Sequence, residues 1–251
     1  MRRAVHAEWT KLRTVAGPRW LLAGMVAVTV ALSAAAASVS TCVSPGCGGD
    51  PVELSLTGVD LGQALVAILA VLVIGGEYGS GIFGVTLTAV PRRRVVLAAK
   101  AAVVSGVVAV AGSVAVLGSL LAGRVVLPGG QLVLWPVGGP TLRAAAGSVV
   151  YLVLVALLAF GVAAVVRDSA TGVGIVLGLL YLVPIIAQVV GDPGVRRVLQ
   201  QVAPMSAGLA VQATTGLDQL PIGPWAGLAV TAAWAAAALL AAAVRVGVRD
   251  D

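Results

Sequence analysis

Long apolar runs separated by short polar clusters dominate the chain. Trp20 to Thr41, Leu61 to Gly76, Ala101 to Gly123, Ala144 to Val166, Ser169 to Val190 and Trp225 to Val244 are predominantly apolar. About 20 residues of helix, at 1.5 Å per residue, cross ~30 Å of hydrocarbon. The pattern therefore predicts six transmembrane helices, the second of them short. Pro184 inside the fifth predicts a kink, which membrane helices tolerate where neighbours satisfy the freed carbonyl.

The polar segments have characters of their own. In residues 1–18, Val5, Trp9, Leu12 and Ala16 fall on one helical stripe, while Arg2, Arg3, His6, Lys11 and Arg13 lie mostly off it. Pro18 ends this pattern. A basic amphipathic helix at the membrane surface is expected, with Trp9, Lys11, Leu12 and Arg13 at its centre. Glu8 and Trp9 inside the basic region weigh against a signal peptide. His6 has no second ligand nearby and reads as a surface residue. Residues 42–60 hold Cys42, Pro45, Cys47, Asp50, Pro51, Glu53 and Asp60, and read as an acidic, turn-rich outer loop. Residues 124–142 read as a second outer loop. Arg167-Asp168 reads as a tight inner turn. Residues 198–217 carry no charge but include Gln200, Gln201, Pro204, Ser206, Gln212, Thr214 and Thr215. So many polar groups do not suit a lipid-facing span. The whole region 191–223 is therefore expected to form short external helices, with a re-entrant, protein-shielded course left open.

Composition strengthens this reading. The 251 residues are 59% hydrophobic and only 10% charged, against about 25% charged in soluble domains. The net charge of +6 would suggest nucleic acid in a soluble protein, but here the cations cluster at the ends of apolar runs and no nucleic-acid module is visible. Six spans with both termini inside put Arg2, Arg3, Lys11, Arg13, Arg19, Arg92, Arg93, Arg94, Lys100, Arg167, Arg245 and Arg249 within the cell. Arg124, Arg143, Arg196 and Arg197 remain outside. The sixteen basic residues divide three to one, and the positive-inside rule selects this orientation. Lys100 is expected to snorkel to the inner interface. Lysine occurs only at 11 and 100 while arginine, alanine, valine and glycine abound, a bias that suggests a GC-rich bacterial genome.

Several chemistries are missing from the sequence. Neither lysine follows a glycine, so no GxxxxGK[ST] phosphate loop exists. HExxH and Gly-x-Ser-x-Gly are absent, and one histidine makes no histidine-based metal cluster. No ionisable residue is expected at mid-span, where ion-coupled carriers usually keep one. Nor do discontinuous apolar segments recur in the two halves. No enzymatic activity or cofactor is expected in this chain, and work must come from outside it. Cys42 and Cys47 flank Val-Ser-Pro-Gly, and either close a disulfide in an oxidising compartment or remain unrelated thiols. Gly174 and Gly178 have the spacing of a close helix contact, which chance also supplies in a chain with 32 glycines.

Between the second and third spans lies an unusual stretch: Gly76-Glu77-Tyr78, Gly81, Phe83, Thr86-Leu87, Pro91-Arg92-Arg93-Arg94 and Ala99-Lys100. Three consecutive arginines at a bilayer centre would cost roughly 2.5–3.5 kcal/mol each, so the stretch is an inner loop or interfacial helix. Its motifs, in this spacing, resemble those of permease subunits of type-2 ABC exporters, particularly short bacterial ones. Glu8-Trp9-Thr10-Lys11-Leu12-Arg13-Thr14 is similar to that family's opening helix. Arg167 with Ala170, and Arg249-Asp250, resemble it more weakly. The family often has arginines where this chain has Gly79 and Gly84, so the charge pattern of the docking surface differs.

The resemblance implies six helices per protomer and a dimer, formed by two copies or with a related permease. It also implies a separate P-loop ATPase that carries ATP and magnesium. Residues 77–94 would be the cytoplasmic coupling segment, with Glu77, Tyr78, Gly81, Phe83, Leu87, Pro91, Arg92 and Arg93 at the contact. The expected function is export of a lipophilic small molecule or lipid across a bacterial plasma membrane. The competing reading is a membrane-embedded structural or assembly protein with no transport path.

Overall fold

The computed structural model describes residue 10 and residues 16–39, 49–79, 93–126 and 138–247, with side chains not described at 77–79, 93–95, 246 and 247. Among the described residues there is no β-strand, and six helices are long and apolar enough to cross a membrane. The chain is an all-α polytopic membrane protein. The helices are α1 (Ala16–Val39), α2 (Pro51–Leu56), α3 (Val59–Gly79), α4 (Arg93–Val126), α5 (Gly139–Val166), α6 (Ser169–Leu177), α7 (Val183–Val189), α8 (Pro193–Val202), α9 (Pro204–Leu209) and α10 (Pro224–Gly247). Short 3₁₀ turns at Ala210–Gln212 and Leu217–Gln219 complete the α9–α10 connection.

Helix α5 is the axis of the bundle. It is apolar all round, as a helix enclosed by others should be, and Tyr151, Leu152, Val155, Ala159, Phe160 and Ala163 are all buried. Helices α3, α4, α6 and α10 pack around it, and α1 packs on α3 and α4. Small residues let backbones approach closely, which is how membrane helices gain dispersion contacts without a hydrophobic driving force. A Cβ on Gly161 of α5 would lie 2.7 Å from the Ala238 carbonyl carbon of α10.

Several features differ from the sequence expectation, among them the third and fourth spans, whose helices extend to Arg93–Val126 and Gly139–Val166 and so take in both ends of the expected outer loop 124–142. Helix α1 begins at Ala16, inside the segment 1–18 assigned to the interfacial helix. Pro18 stands in the first turn of α1, where its missing N–H costs no hydrogen bond. The acidic loop 42–60 is helical from Pro51 onward. Asp50 caps α2 by accepting from the N–H groups of Val52 at 3.0 Å and Glu53 at 3.3 Å, and Pro51 supplies the first helical residue. The second span thus runs from Pro51 to Gly76 and contains Asp60. Finally, Lys100 does not snorkel. It is 1% exposed, one turn and more inside α4.

The fifth span deforms where Pro184 lies. Without an N–H, Pro184 leaves the Leu180 carbonyl lacking its α-helical donor. A π turn at Gly178–Leu182 widens the helix just before it, the usual way to absorb such a defect. A Cβ added at Gly174 or Gly178 would meet nothing within 4 Å among the described residues, so their spacing marks no close helix contact there.

Cations segregate by end. Arg19, Arg93, Lys100, Arg167 and Arg245 belong to one end of the bundle, and Arg124, Arg143, Arg196 and Arg197 to the other. Residues 191–223 form the short helices expected of them, all at the second end. Part of this segment dips into the bundle: Ala207, Gly208 and Val211 are buried against α5 and α10.

Candidate functional site

The end that carries Arg167 holds what is described of the expected coupling segment. Glu77 and Tyr78 lie in the last turn of α3, and Arg93 opens α4. Gly81, Phe83, Leu87, Pro91 and Arg92 lie outside the described residues, as do Trp9, Lys11, Leu12 and Arg13 and both Cys42 and Cys47. Beside these helix ends is the tight turn between α5 and α6. Arg167 adopts φ 63°, and its N–H closes α5 onto the Ala163 carbonyl at 2.8 Å. Asp168 then caps α6 by accepting from the Thr171 N–H at 2.7 Å. Hydrogen bonds from the Thr171 side chain and backbone hold the Asp168 carboxyl below its ordinary value. Arg245 of α10 donates to the Val165 carbonyl at 2.6 Å, satisfying one of the free carbonyls at the α5 terminus.

The opposite end holds a cleft of about 300 Å³. One wall is α2 and the start of α3, with Glu53, Thr57 and Asp60. The other is the segment from α8 to Ile222, with Gln200, Ser206, Leu209, Gln212 and Leu220. Asp50 joins the two walls. Besides capping α2, it accepts from the Thr214 hydroxyl at 2.8 Å, from the Thr215 N–H at 2.9 Å and from the Thr214 N–H. Burial pushes the Asp50 carboxyl up, but the hydrogen bonds from Thr214, Thr215 and Glu53 outweigh it and hold the group below its ordinary value. Arg143 of α5 donates to the Ala213 carbonyl at 2.6 Å, and Gln201 donates to the Pro221 carbonyl at 2.7 Å. The second wall is thereby fixed to the bundle and to itself.

A polar layer lies beneath the cleft. Gln63 and Tyr151 are both fully buried, and the Tyr151 hydroxyl donates to Gln63 Oε1. Gln63 Nε2 donates to the Asp60 carbonyl at 3.0 Å, and the Tyr181 hydroxyl donates to the same carbonyl. Gln212 Nε2 donates to Ser148 Oγ at 3.2 Å. Thr231 of α10 donates to the Pro204 carbonyl at 3.0 Å, tying the start of α9 down. These bonds link α3, α5, the fifth span and the dipping segment. In a medium without water, each unmade bond of this kind would be costly.

The sequence placed the coupling and interfacial-helix candidates at the Arg167 end and the possible disulfide in an outer loop. It showed Glu53, Asp60, Gln200, Ser206 and Gln212 as polar groups of outer segments without bringing them together in one cleft. A signal for the cleft was available: Asp50-Pro51 followed by Glu53 has the pattern of a helix start. Gln63, Tyr151 and Tyr181 gave no local signal, because their partners are distant in sequence. No family model matches the chain, and no curated protein matches it.

Proposed function

We propose that this chain is the membrane-spanning permease subunit of an ATP-driven ABC exporter of the type-2 class. It moves a lipophilic small molecule or lipid across a bacterial plasma membrane, with both termini in the cytoplasm and a separate P-loop ATPase as its engine. The observation that carries this reading is the motif block from Gly76-Glu77-Tyr78 through Pro91-Arg92-Arg93 to Ala99-Lys100. Its setting supports it: the block joins the second and third spans at the end of the bundle that gathers Arg167 and Arg245.

The mechanism follows from the chemistry of that segment. Phe83 and Leu87 are four residues apart, on one face of any helix formed there, and suit an apolar pocket on a partner. Arg92–Arg94 hold the segment's exit at an anionic inner surface, at about 1 kcal/mol per cation. Nucleotide-driven movement of the ATPase would reach α3 and α4 together through this one connection.

The test is whether a neighbouring reading frame encodes a P-loop ATPase and whether that ATPase co-purifies with this chain, followed by transport in vesicles. Phe83→Ala and Glu77→Ala should insert normally but weaken ATPase association or its stimulation by substrate. Mutant complexes that assemble and transport like wild type would remove the segment from coupling. The lack of any associated ATPase would remove the permease reading itself.

A further inference from the structure

We propose that the cleft between α2–α3 and residues 200–222 is a binding site for a small organic cation, held by its ammonium group between Glu53 and Asp60. This inference rests on the cleft alone and not on the coupling segment.

Both carboxylates line the cleft, and among the described residues neither accepts a hydrogen bond or joins an ion pair. Asp60 is partly enclosed within the second span, and Glu53 stands exposed at the margin. Two like charges facing one cavity repel, and the more enclosed one also loses hydration. The chain has basic residues to spare, with a net charge of +6, yet among the described residues none is paired with these acids. Arg143, on the adjoining helix, is turned onto the Ala213 carbonyl instead. A cation from outside the chain completes the site.

Two further features define that cation. The side chain of Gln212 is 3% exposed and lines the cleft. Its amide nitrogen is engaged by Ser148, while no hydrogen bond reaches its carbonyl oxygen. That oxygen is a third acceptor for an N–H donor. The rest of the lining includes Leu209, Leu220 and Ile222, apolar groups that suit a short hydrocarbon body. A hard metal ion fits less well. Calcium takes six to eight oxygens, and among the described residues no group of three or more acidic, histidine or cysteine side chains gathers anywhere. Because the Asp50 bonds to Thr214 and Thr215 already hold both walls, the site is formed before its ligand arrives. Its volume of about 300 Å³ is that of a small amine or of an aminated lipid headgroup.

The experiment uses the full chain in phosphatidylglycerol nanodiscs, with radiolabelled n-butylammonium as probe and n-butanol as its uncharged counterpart. Saturable binding of the ammonium above empty nanodiscs is expected, with none for the alcohol. Asp60→Asn and Glu53→Gln should each weaken it about tenfold or more. Among the described residues neither carboxylate makes a hydrogen bond, so both amides leave the described hydrogen bonds in place. Adding phosphatidylethanolamine distinguishes the ligand's sources: a weakened probe identifies the lipid headgroup, and an unchanged one a soluble amine. Equal binding of alcohol and ammonium, no saturable component, or unchanged affinity in both variants would overturn the proposal. Displacement of the probe by calcium at equal concentration would overturn it too. Should the variants fail to insert, the ammonium and alcohol comparison on the unsubstituted chain still decides.

Discussion

Asp50 and Thr214 are 164 residues apart in sequence, and the Thr214 hydroxyl lies 2.8 and 2.9 Å from the two Asp50 carboxylate oxygens. The same carboxylate caps α2, so one side chain sets both the start of the second span and the position of the dipping segment. Asp50→Ala should therefore destabilise the protein by about 1–3 kcal/mol, combining a lost helix cap with lost charge-assisted bonds. Thr214→Val, which keeps the backbone N–H, should cost less. Thermal unfolding in detergent checks both. The pH dependence has a defined sign. The Asp50 carboxyl is held below its ordinary value of 3.8, so its contribution is present above that pH and lost as pH falls through the lower folded value. The gap between wild type and Asp50→Ala should narrow only in that acid window.

Tyr151→Phe removes the donor to Gln63 in a fully buried site. Leaving Gln63 Oε1 unpaired should cost about 0.5–2 kcal/mol, which spans the values for bonds between membrane helices. Gln63→Leu combined with Tyr151→Phe should cost less than the sum of the single changes, because the second change no longer orphans a partner. A double-mutant cycle on unfolding temperature measures this, and strict additivity would show that the bond does not join α3 to α5.

Gly161 marks a close approach of α5 to α10, with the Leu239 backbone nitrogen 2.9 Å from any added Cβ. The neighbouring atoms are two backbone atoms and the Ala238 Cβ, none of which can rotate aside. Gly161→Ala and Gly161→Leu should reduce stability in that order, by about 1–3 kcal/mol for the larger residue. A Gly161→Leu protein as stable as wild type would refute the contact.

Orientation is tested by reporter fusions. The three-to-one division of the sixteen basic residues predicts outside signals after residues 50, 130 and 215, and inside signals after 92, 168 and 250. A cytoplasmic signal at 215 would turn residues 191–223 into a crossing and reverse α10.

The sequence by itself determined the spans. Hydropathy over about 20 residues reflects the thickness of the bilayer, and that constraint is local. Pro184, Arg167-Asp168 and the polar stretch 198–217 were legible for the same reason, since each alters its own stretch of helix. Only the tertiary structure decided that α5 is the axis, that Asp60 enters a span and that Lys100 is buried. It also decided that Asp50 reaches Thr214, that Tyr151 reaches Gln63 and that Glu53 and Asp60 face one cleft. Those facts depend on which helix faces turn toward one another. Apolar periodicity says little about facing when lipid and protein are equally apolar, because the polar pairs and small-residue contacts that choose the neighbour are made across the whole length of the chain.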